Sequence, residues 1–501
     1  MKAFLMYRDH DFDLDAALPQ NSEALIQDLE LNTLFHAMAQ GDRYLYDVAR
    51  TAVLQFLRDE DEVRYRQDVL RDVLANSLVC RQLYDLTIEV GVRENKLNAW
   101  MYLRSPSSIL ARSVQVLQMF VVMLKQLKGI GTYNAQRFSS EGFKTLFAML
   151  DRELKDDYFM KIEDHLRRLK FPDGVWVSAV LGKGNKGADY TLRRPKDRAK
   201  SWINRLTTPK PPAYTWRLPP RDESGASALG ELRDRGLNLV ANALAQSDDH
   251  ILSFFAMLRA ELAFYVGCLN LREQLAKKGQ PISFPTPAAL GERKLTFSGL
   301  YDVCLTFKTD RRVVGNDLNA DNRDLVIVTG ANQGGKTTFL RSVGLAQLMM
   351  QCGMFVPAES FSANLCSHIF THYRREEDVT MKSGKLDEEL SRCSEIVDAI
   401  APDAFLLFNE SFAATNEREG SEIARQITSA LLEKRIKIVF VTHLYDFAHS
   451  VYDKNTGTSI FLRAERQADG ERSFKLREGE PLQTAYGEDL YDEIFGARGD
   501  P

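Results

Sequence analysis

The sequence predicts a multidomain α and α/β protein, a helical region followed by a parallel α/β domain. Through the first 300 residues, apolar side chains recur at helical spacing over long stretches. From about Leu300 onward, short and almost continuously apolar segments alternate with helical ones. Strands buried on both faces of a parallel sheet look like this. A glycine-rich loop joins the first of those strands to the helix after it. At 501 residues the chain has room for two to four domains, at roughly 100–200 residues each. Its 44% hydrophobic and 27% charged residues are enough to build large buried cores.

Asn21 to Leu57 carries Leu25, Ile26, Leu29, Leu34, Phe35 and Met38 at helical spacing, then Leu45, Val48, Ala49 and Val53. Ile109 to Leu127 and Ile251 to Leu275 read as long helices, the second ended by the stop signal Lys277, Lys278 and Gly279. Between them Val175 to Leu181 reads as a strand, Gly182 to Gly187 as a turn and Tyr190 to Arg193 as the returning strand. Five prolines (Pro209, Pro211, Pro212, Pro219, Pro220) make Lys196 to Arg221 a loop or linker. From His165 to Arg221 there are fourteen Lys or Arg against three Asp, a strong local positive charge in a chain of net charge -4. No repeat period is visible.

In the second half, Leu325 to Thr329, Ala404 to Phe408 and Ile436 to Thr442 are the buried strands. The first leads into Gly330-Ala331-Asn332-Gln333-Gly334-Gly335-Lys336-Thr337, which fits G-x-x-x-x-G-K-[ST], and then into an apolar helix from Phe339 to Met350 stopped by Gly353. Glycines let backbone N–H groups converge on phosphates, and the helix N-terminus adds partial positive charge. Lys336 is placed for the β and γ phosphates of ATP and the Thr337 hydroxyl for Mg²⁺. Glu410 ends the strand about seventy residues on, where a carboxylate orients the attacking water, and Asn409 stands where an Mg²⁺-binding Asp is usual. His443 ends the third strand at the C-terminal edge of the sheet, where ligands bind in such folds.

No apolar run reaches the roughly 18 residues that span a bilayer; Val114 to Leu127 is interrupted by Gln118, Lys125 and Gln126. The N-terminus lacks the pattern of a signal peptide. Six scattered cysteines with no CxxC pair argue against a disulfide framework or a zinc site and for a reduced, cytoplasmic setting with no membrane partner.

These residues resemble the MutS mismatch-repair ATPases, members of the wider ABC class. Thr329 to Thr338 is similar to the T-G-P-N-M-G-G-K-S-T loop of that family. Phe355-Val356-Pro357-Ala358 resembles its Y-V-P-A, and Ile369-Phe370-Thr371 its R-I-F-T-R. Glu389-Leu390 also match; Asn409-Glu410 stands where the family has D-E, Val441-Thr442-His443 where it has A-T-H, and Val313 to Asp317 where it has F-x-x-N-D. The resemblance covers about Leu300 to Tyr452 as an ordered set, and before that extends by pattern alone.

The resemblance implies a helical core and lever region followed by an ABC-type P-loop α/β ATPase domain. The expected segments are 1–165 (core and first lever), 166–222 (basic hairpin and Pro-rich linker, at a clamp-like position), 223–299 (returning lever and connector) and 300–501 (ATPase). It implies nucleotide contacts from Gly330, Asn332, Gly334, Gly335, Lys336, Thr337 and Thr338, Mg²⁺ at Thr337 and Asn409, and Glu410 and His443 as catalytic residues, His443 sensing the γ phosphate. It also implies a homodimer with composite sites, Ser383 reaching the partner's nucleotide with Gly384 easing its approach, and a subunit-contacting loop near Asn416 and Glu417. Departures are expected to matter. Val313 replaces the aromatic that stacks on adenine and Asn409 the Mg²⁺ Asp. No room is expected for a mismatch-recognition domain, nor a long C-terminal dimerisation extension or endonuclease-like tail.

Lys183, Lys186, Arg193 and Arg194, followed by Lys196, Arg198, Lys200 and Arg205 with Tyr190 and Trp202 interleaved, read either as a grip on nucleic-acid phosphates or as a solvated hairpin and linker. Three functions follow: an ATP-driven dimeric clamp on DNA without mismatch selectivity, a switch acting on ribosomes, RNA or a protein complex, and an assembly factor with little turnover.

Overall fold

The computed structural model describes residues 1–98, 105–172, 174–193, 219, 221–330, 334–375, 384–454, 457–466 and 472–482. Helices fill the first part of the chain: α1 (Ser22–Asp28), α2 (Leu31–Ala39), α3 (Arg43–Leu54), α4 (Glu60–Ala75), α5 (Ser77–Asn98), α6 (Pro106–Asn134), α7 (Glu141–Glu153) and α8 (Asp156–Arg168). A hairpin follows, β1 (Val177–Leu181) and β2 (Gly187–Leu192), and then the 55-residue α9 (Glu223–Lys277). The remainder alternates: β3 (Thr286–Ala288), β4 (Leu295–Leu300), α10 (Val303–Lys308), β5 (Asn316–Asn319), β6 (Leu325–Thr329), α11 (Lys336–Gln351), β7 (Ser360–Asn364) and β8 (Ile369–Tyr373). It closes with α12 (Lys385–Ala399), β9 (Phe405–Asn409), α13 (Glu417–Glu433), β10 (Lys437–Val441), α14 (Tyr445–Asp453), β11 (Ser459–Arg466) and β12 (Arg472–Glu478).

The chain divides into two compact units, each discontinuous in sequence: residues 1–3, 81–138 and 144–259 form one, and 4–80, 139–143 and 260–501 the other. In the first, Phe120 of α6 stacks on Phe255 of α9 with ring centroids 6.4 Å apart. The hairpin packs on α9 at Gly236, where a Cβ would lie 2.8 Å from Val177 Cγ2. The expected strand–turn–strand is present, with β1 and β2 antiparallel.

In the second unit, a six-stranded sheet has the order β12-β11-β6-β10-β9-β8, and a four-stranded sheet the order β3-β7-β4-β5. Strands β11, β6, β10, β9 and β8 run parallel, and β12 returns antiparallel at the edge. Every residue of β6 and β10 is buried, which is why both read as almost continuously apolar runs.

The helical stretch expected over Asn21 to Leu57 is built of three helices. Glu30 and Gln40 take left-handed φ of 54° and 48°, breaking it after α1 and α2. The first break is held by charge: Glu30 pairs with Arg341 (2.6 Å) and Lys308 (2.5 Å), and Arg341 also pairs with Asp302 (2.5 Å). Two helices are more apolar than their interrupted runs suggest. Segments Pro106–Arg137 and Glu223–Lys277 each contain an 18-residue window of mean hydropathy 1.5, of which 50% and 67% is buried within the protein. All six cysteines are buried and unpaired.

Helix α11 carries the site, and it is packed from both sides. At Gly344 a Cβ would lie 2.6 Å from Leu407 Cδ1 of β9 and 2.8 Å from Leu29 Cδ2. Past its end Gly353, at φ 76°, lies against the fully buried Arg66. Gly344→Val should therefore lower stability by about 1–3 kcal/mol, the usual cost of overpacking. A thermal melt with unchanged midpoint would contradict this close approach.

Candidate nucleotide site

Three strand ends build the site. Strand β6 ends in Gly330, whose φ of 116° and whose neighbour Ala464 N, 2.9 Å from where a Cβ would sit, both require glycine. Gly334 is buried, and Gly335 at φ 88° turns the chain into α11. Asn332, between them, lies outside the described residues, as do Ser383 and Arg194.

Lys336 is 4% exposed, and its Nζ donates to the Gly330 carbonyl at 2.6 Å. Burial pushes its ammonium pKa below the ordinary lysine value, opposed by the charge of Glu410. One residue on, Thr337 Oγ1 donates to Asn409 Oδ1 at 3.1 Å, so the end of β9 meets the start of α11. The Glu410 N–H extends the sheet by donating to Val441 O at 2.9 Å, and Glu410 takes φ 53°.

The turn after Glu410 is held by a buried polar network that spacing alone did not reveal. His372 lies on β8, and burial lowers its imidazole pKa to about 4, so the ring is neutral. Its Nε2–H donates to the Glu389 carbonyl at 3.0 Å, and the Ser411 hydroxyl lies 2.6 Å from Nδ1 and 2.8 Å from the His372 carbonyl. Glu389 Oε2 accepts the Phe412 N–H at 2.8 Å. Glu389, singled out above only by resemblance, thus ties α12 to this turn. The sequence signal for His372 was a polar Thr-His pair inside a strand flanked by Phe370 and Tyr373.

A cleft of about 530 Å³ brings together Gly335, Lys336, Thr337, Thr338 and Glu410, with Val313, Arg311 and Arg312 on another wall. Val313 lines the cleft, and so does Phe474 of β12. Phe474 is 47% exposed at φ 54°, and its Cβ lies 3.6 Å from where a Gly335 side chain would begin. Asn316 fixes it: the Asn316 amide donates to Phe474 O (3.3 Å) and its oxygen accepts Leu476 N–H (2.8 Å). Next to it Asp317 accepts Gly299 N–H at 2.7 Å, which holds its carboxyl below the usual range, and pairs with Lys475 at 3.4 Å. An aromatic within the charged stretch Arg472–Glu478 was the readable hint for Phe474.

His443 stands apart. It is exposed just beyond β10, at the same edge of the sheet, and does not line the cleft. Asn416 caps α13, accepting Glu419 N–H at 3.0 Å, while Glu417 accepts Tyr445 N–H. In the other unit Lys183, Lys186 and Arg193 are exposed on the hairpin, Arg193 bonding Ser178 Oγ at 2.8 Å, and Arg235 lies 5.9 Å from the Tyr190 ring centroid.

Comparison with known proteins decides the family. Residues 58–278 match the model of the MutS2 N-terminal domain, and residues 326–487 that of MutS domain V. The chain belongs to the MutS family. Among MutS relatives, the DNA mismatch repair protein MutS of Syntrophomonas wolfei subsp. wolfei is 28% identical over 233 residues, 43% of this chain and 27% of its own. MutS protein homolog 4 of Mus musculus is 27% identical over 151 residues, 30% of this chain and 16% of its own. The DNA mismatch repair protein MutS of Synechococcus sp. (strain CC9902) is 23% identical over 340 residues, 66% of this chain and 37% of its own. The chain thus spans well under half the length of these relatives. The MutS domain V match contains every cleft residue from Gly335 to Phe474.

If Phe474 forms the base-stacking wall, Phe474→Ala should weaken ATP binding about tenfold, within the ~1–3 kcal/mol of an aromatic–base stack. Affinity for inorganic tripolyphosphate, which has no base, should stay unchanged. Equal losses for both ligands in a titration would remove Phe474 from base recognition.

Proposed function

We propose that this MutS-family protein binds and hydrolyses ATP and acts as a dimeric clamp on DNA, in repair or recombination, gripping the backbone rather than reading mispairs. The observation that carries the reading is the contact between Thr337 and Asn409 beside Lys336, at the C-terminal edge of a parallel sheet and under an aromatic wall. In this reading Lys336 leaves the Gly330 carbonyl for the β and γ phosphates, and the backbone N–H groups of Gly334 and Gly335 cradle them, with Asn332 and Thr338 alongside. Glu410 orients the attacking water. His443 reaches the γ phosphate by movement of the segment after β10. Ser383 completes the site of the partner subunit across a homodimer interface.

The side-chain oxygens of Thr337 and Asn409 fit the hard-oxygen donor set of Mg²⁺. They would hold the ion, which supplies charge neutralisation at the phosphates. Asn409 brings no negative charge to it, so metal affinity and turnover are lower than an Asp would give.

The exposed Lys183, Lys186 and Arg193, with Arg194, supply the DNA grip. The relatives' names, DNA mismatch repair protein MutS among them, support DNA as the partner. Phosphate contacts carry no base code, so paired and mispaired duplexes bind alike.

Lys336→Ala should abolish ATP binding, and Glu410→Gln should keep it while losing turnover by about 100-fold or more, the weight of a positioned general base. Neutralising Lys183, Lys186 and Arg193 together should weaken binding to every duplex and flatten its salt dependence, because fewer counterions are released. Wild-type turnover in Glu410→Gln, or an unchanged salt slope, would each overturn its part of the proposal.

A further inference from the structure

A second cleft, of about 650 Å³, lies on the larger unit between the loop before α1, the chain leaving α3, the start of β8 and the outer half of α12. Its volume is within the range of small-molecule pockets. One end is tied shut by Asn21, whose amide donates to Ile369 O at 2.6 Å. The walls combine apolar side chains (Leu54, Phe370, Ile396) with three arginines, Arg58, Arg375 and Arg392.

The charges there are not balanced. Arg375 pairs with Asp28 at 3.2 Å. Arg58 instead meets the His368 ring at Nε2 (3.2 Å), and Arg392 the Tyr373 carbonyl (2.7 Å), and among the described residues neither has a carboxylate in ion-pair range. Glu395, exposed on the rim, is the one acidic side chain in the lining. Burial, and then the neighbouring Arg375 charge, hold the Arg392 guanidinium below its usual pKa, as expected where like charges crowd together.

Four lining atoms lack a partner: Arg392 Nη1, Gln55 Nε2, His368 Nδ1 and Thr371 Oγ1 are buried without a hydrogen-bond partner. Because Arg58 donates to His368 Nε2, the neutral ring carries its proton on Nδ1, so the three nitrogens are donors and the Thr371 hydroxyl can donate as well. Buried donors call for an acceptor, and a guanidinium pairs most strongly with an oxyanion. These donors come from three separate chain segments, which suits a tetrahedral phosphate, with oxygens on several sides, better than a planar carboxylate.

We propose that this cleft binds a small phosphorylated ligand, its phosphate held by Arg58, Arg392, Gln55 and His368 and its body lying on Leu54, Phe370 and Ile396. The site is separate from the nucleotide cleft and shares no lining residue with it.

The test uses the full chain, with inorganic pyrophosphate and AMP as probes in calorimetric titrations. Lys336→Ala removes the phosphate-binding lysine of the other cleft. Pyrophosphate should still bind that variant saturably, and adding Arg58→Gln and Arg392→Gln should weaken it by about tenfold or more, as expected for charge-assisted bonds. No saturable binding to Lys336→Ala overturns the proposal, as does binding that survives loss of both arginines. Arg392 also holds the Tyr373 carbonyl, so a second measurement needs no variant. Peptide-mapped phenylglyoxal labelling of the wild-type protein should show Arg58 and Arg392 protected by pyrophosphate, and unchanged labelling of both overturns the site. A short single-stranded oligonucleotide that protects these arginines when pyrophosphate and AMP do not would overturn the small-ligand assignment and give the cleft to nucleic acid.

Discussion

Everything at the candidate nucleotide site depends on three parallel strands ending together. Val441 of β10 is level with Asn409 of β9 on one side and Val328 of β6 on the other. The ladder continues one step past the strands: Glu410 N–H donates to Val441 O, Thr442 N–H to Val328 O, and Arg374 N–H to Asn409 O. Three chain segments far apart in sequence therefore leave the sheet along one line, carrying Gly330, Glu410 and His443. The side chains can be small and few because the backbone does the alignment. A parallel sheet suits this, since its evenly spaced bonds keep neighbouring ends in register, and its buried position excludes water from the strands below.

Close packing turns that alignment into a rigid support. Gly330 fits against Ala464 of β11 and Gly344 of α11 between Leu407 and Leu29, both at distances only glycine allows. The buried charges around α11 are paired, Arg341 with both Asp302 and Glu30, and Asp302 also caps α10 through the Cys304 and Leu305 N–H groups. A carboxylate so buried has its pKa raised by loss of solvent and lowered again by Arg341, with burial the larger cause. Such a pair is weak evidence for added stability; what it does is tie Arg341 of α11, the helix that carries Lys336 and Thr337, to Asp302 and Glu30.

What could be read from the sequence was whatever local pattern encodes. Strands β6, β9 and β10 were legible because burial on both faces writes an apolar run. Helix α11 was legible from its glycine-rich entry and its stop at Gly353, and the end of α9 from Lys277, Lys278 and Gly279. The hairpin was legible from its turn residues. Non-local features were not. The left-handed Glu30 that breaks the first helical stretch is a residue type that rarely adopts that conformation, and it is held there by Lys308 and Arg341, both far away in sequence. Phe474 of β12 lines the same cleft as Val313, a meeting of segments far apart in sequence that no spacing rule anticipates. His372 sits where an apolar strand residue would be unremarkable; its role appears only when Ser411 and Glu389 fold against it. The cleft at Arg58 and Arg392 likewise joins segments whose sequences carry no common motif.

The meeting of Thr337 and Asn409 is proposed as the metal edge of a nucleotide site. Its most direct test is the Mg²⁺ dependence of binding of a fluorescent ATP analogue to the wild type and to Asn409→Asp. The added charge should strengthen metal binding, so the Mg²⁺ midpoint should fall by about tenfold, the effect of roughly 1.4 kcal/mol from one nearby charge in a partly solvated site. A midpoint unmoved by the substitution, with analogue binding intact, would contradict the assignment of that edge.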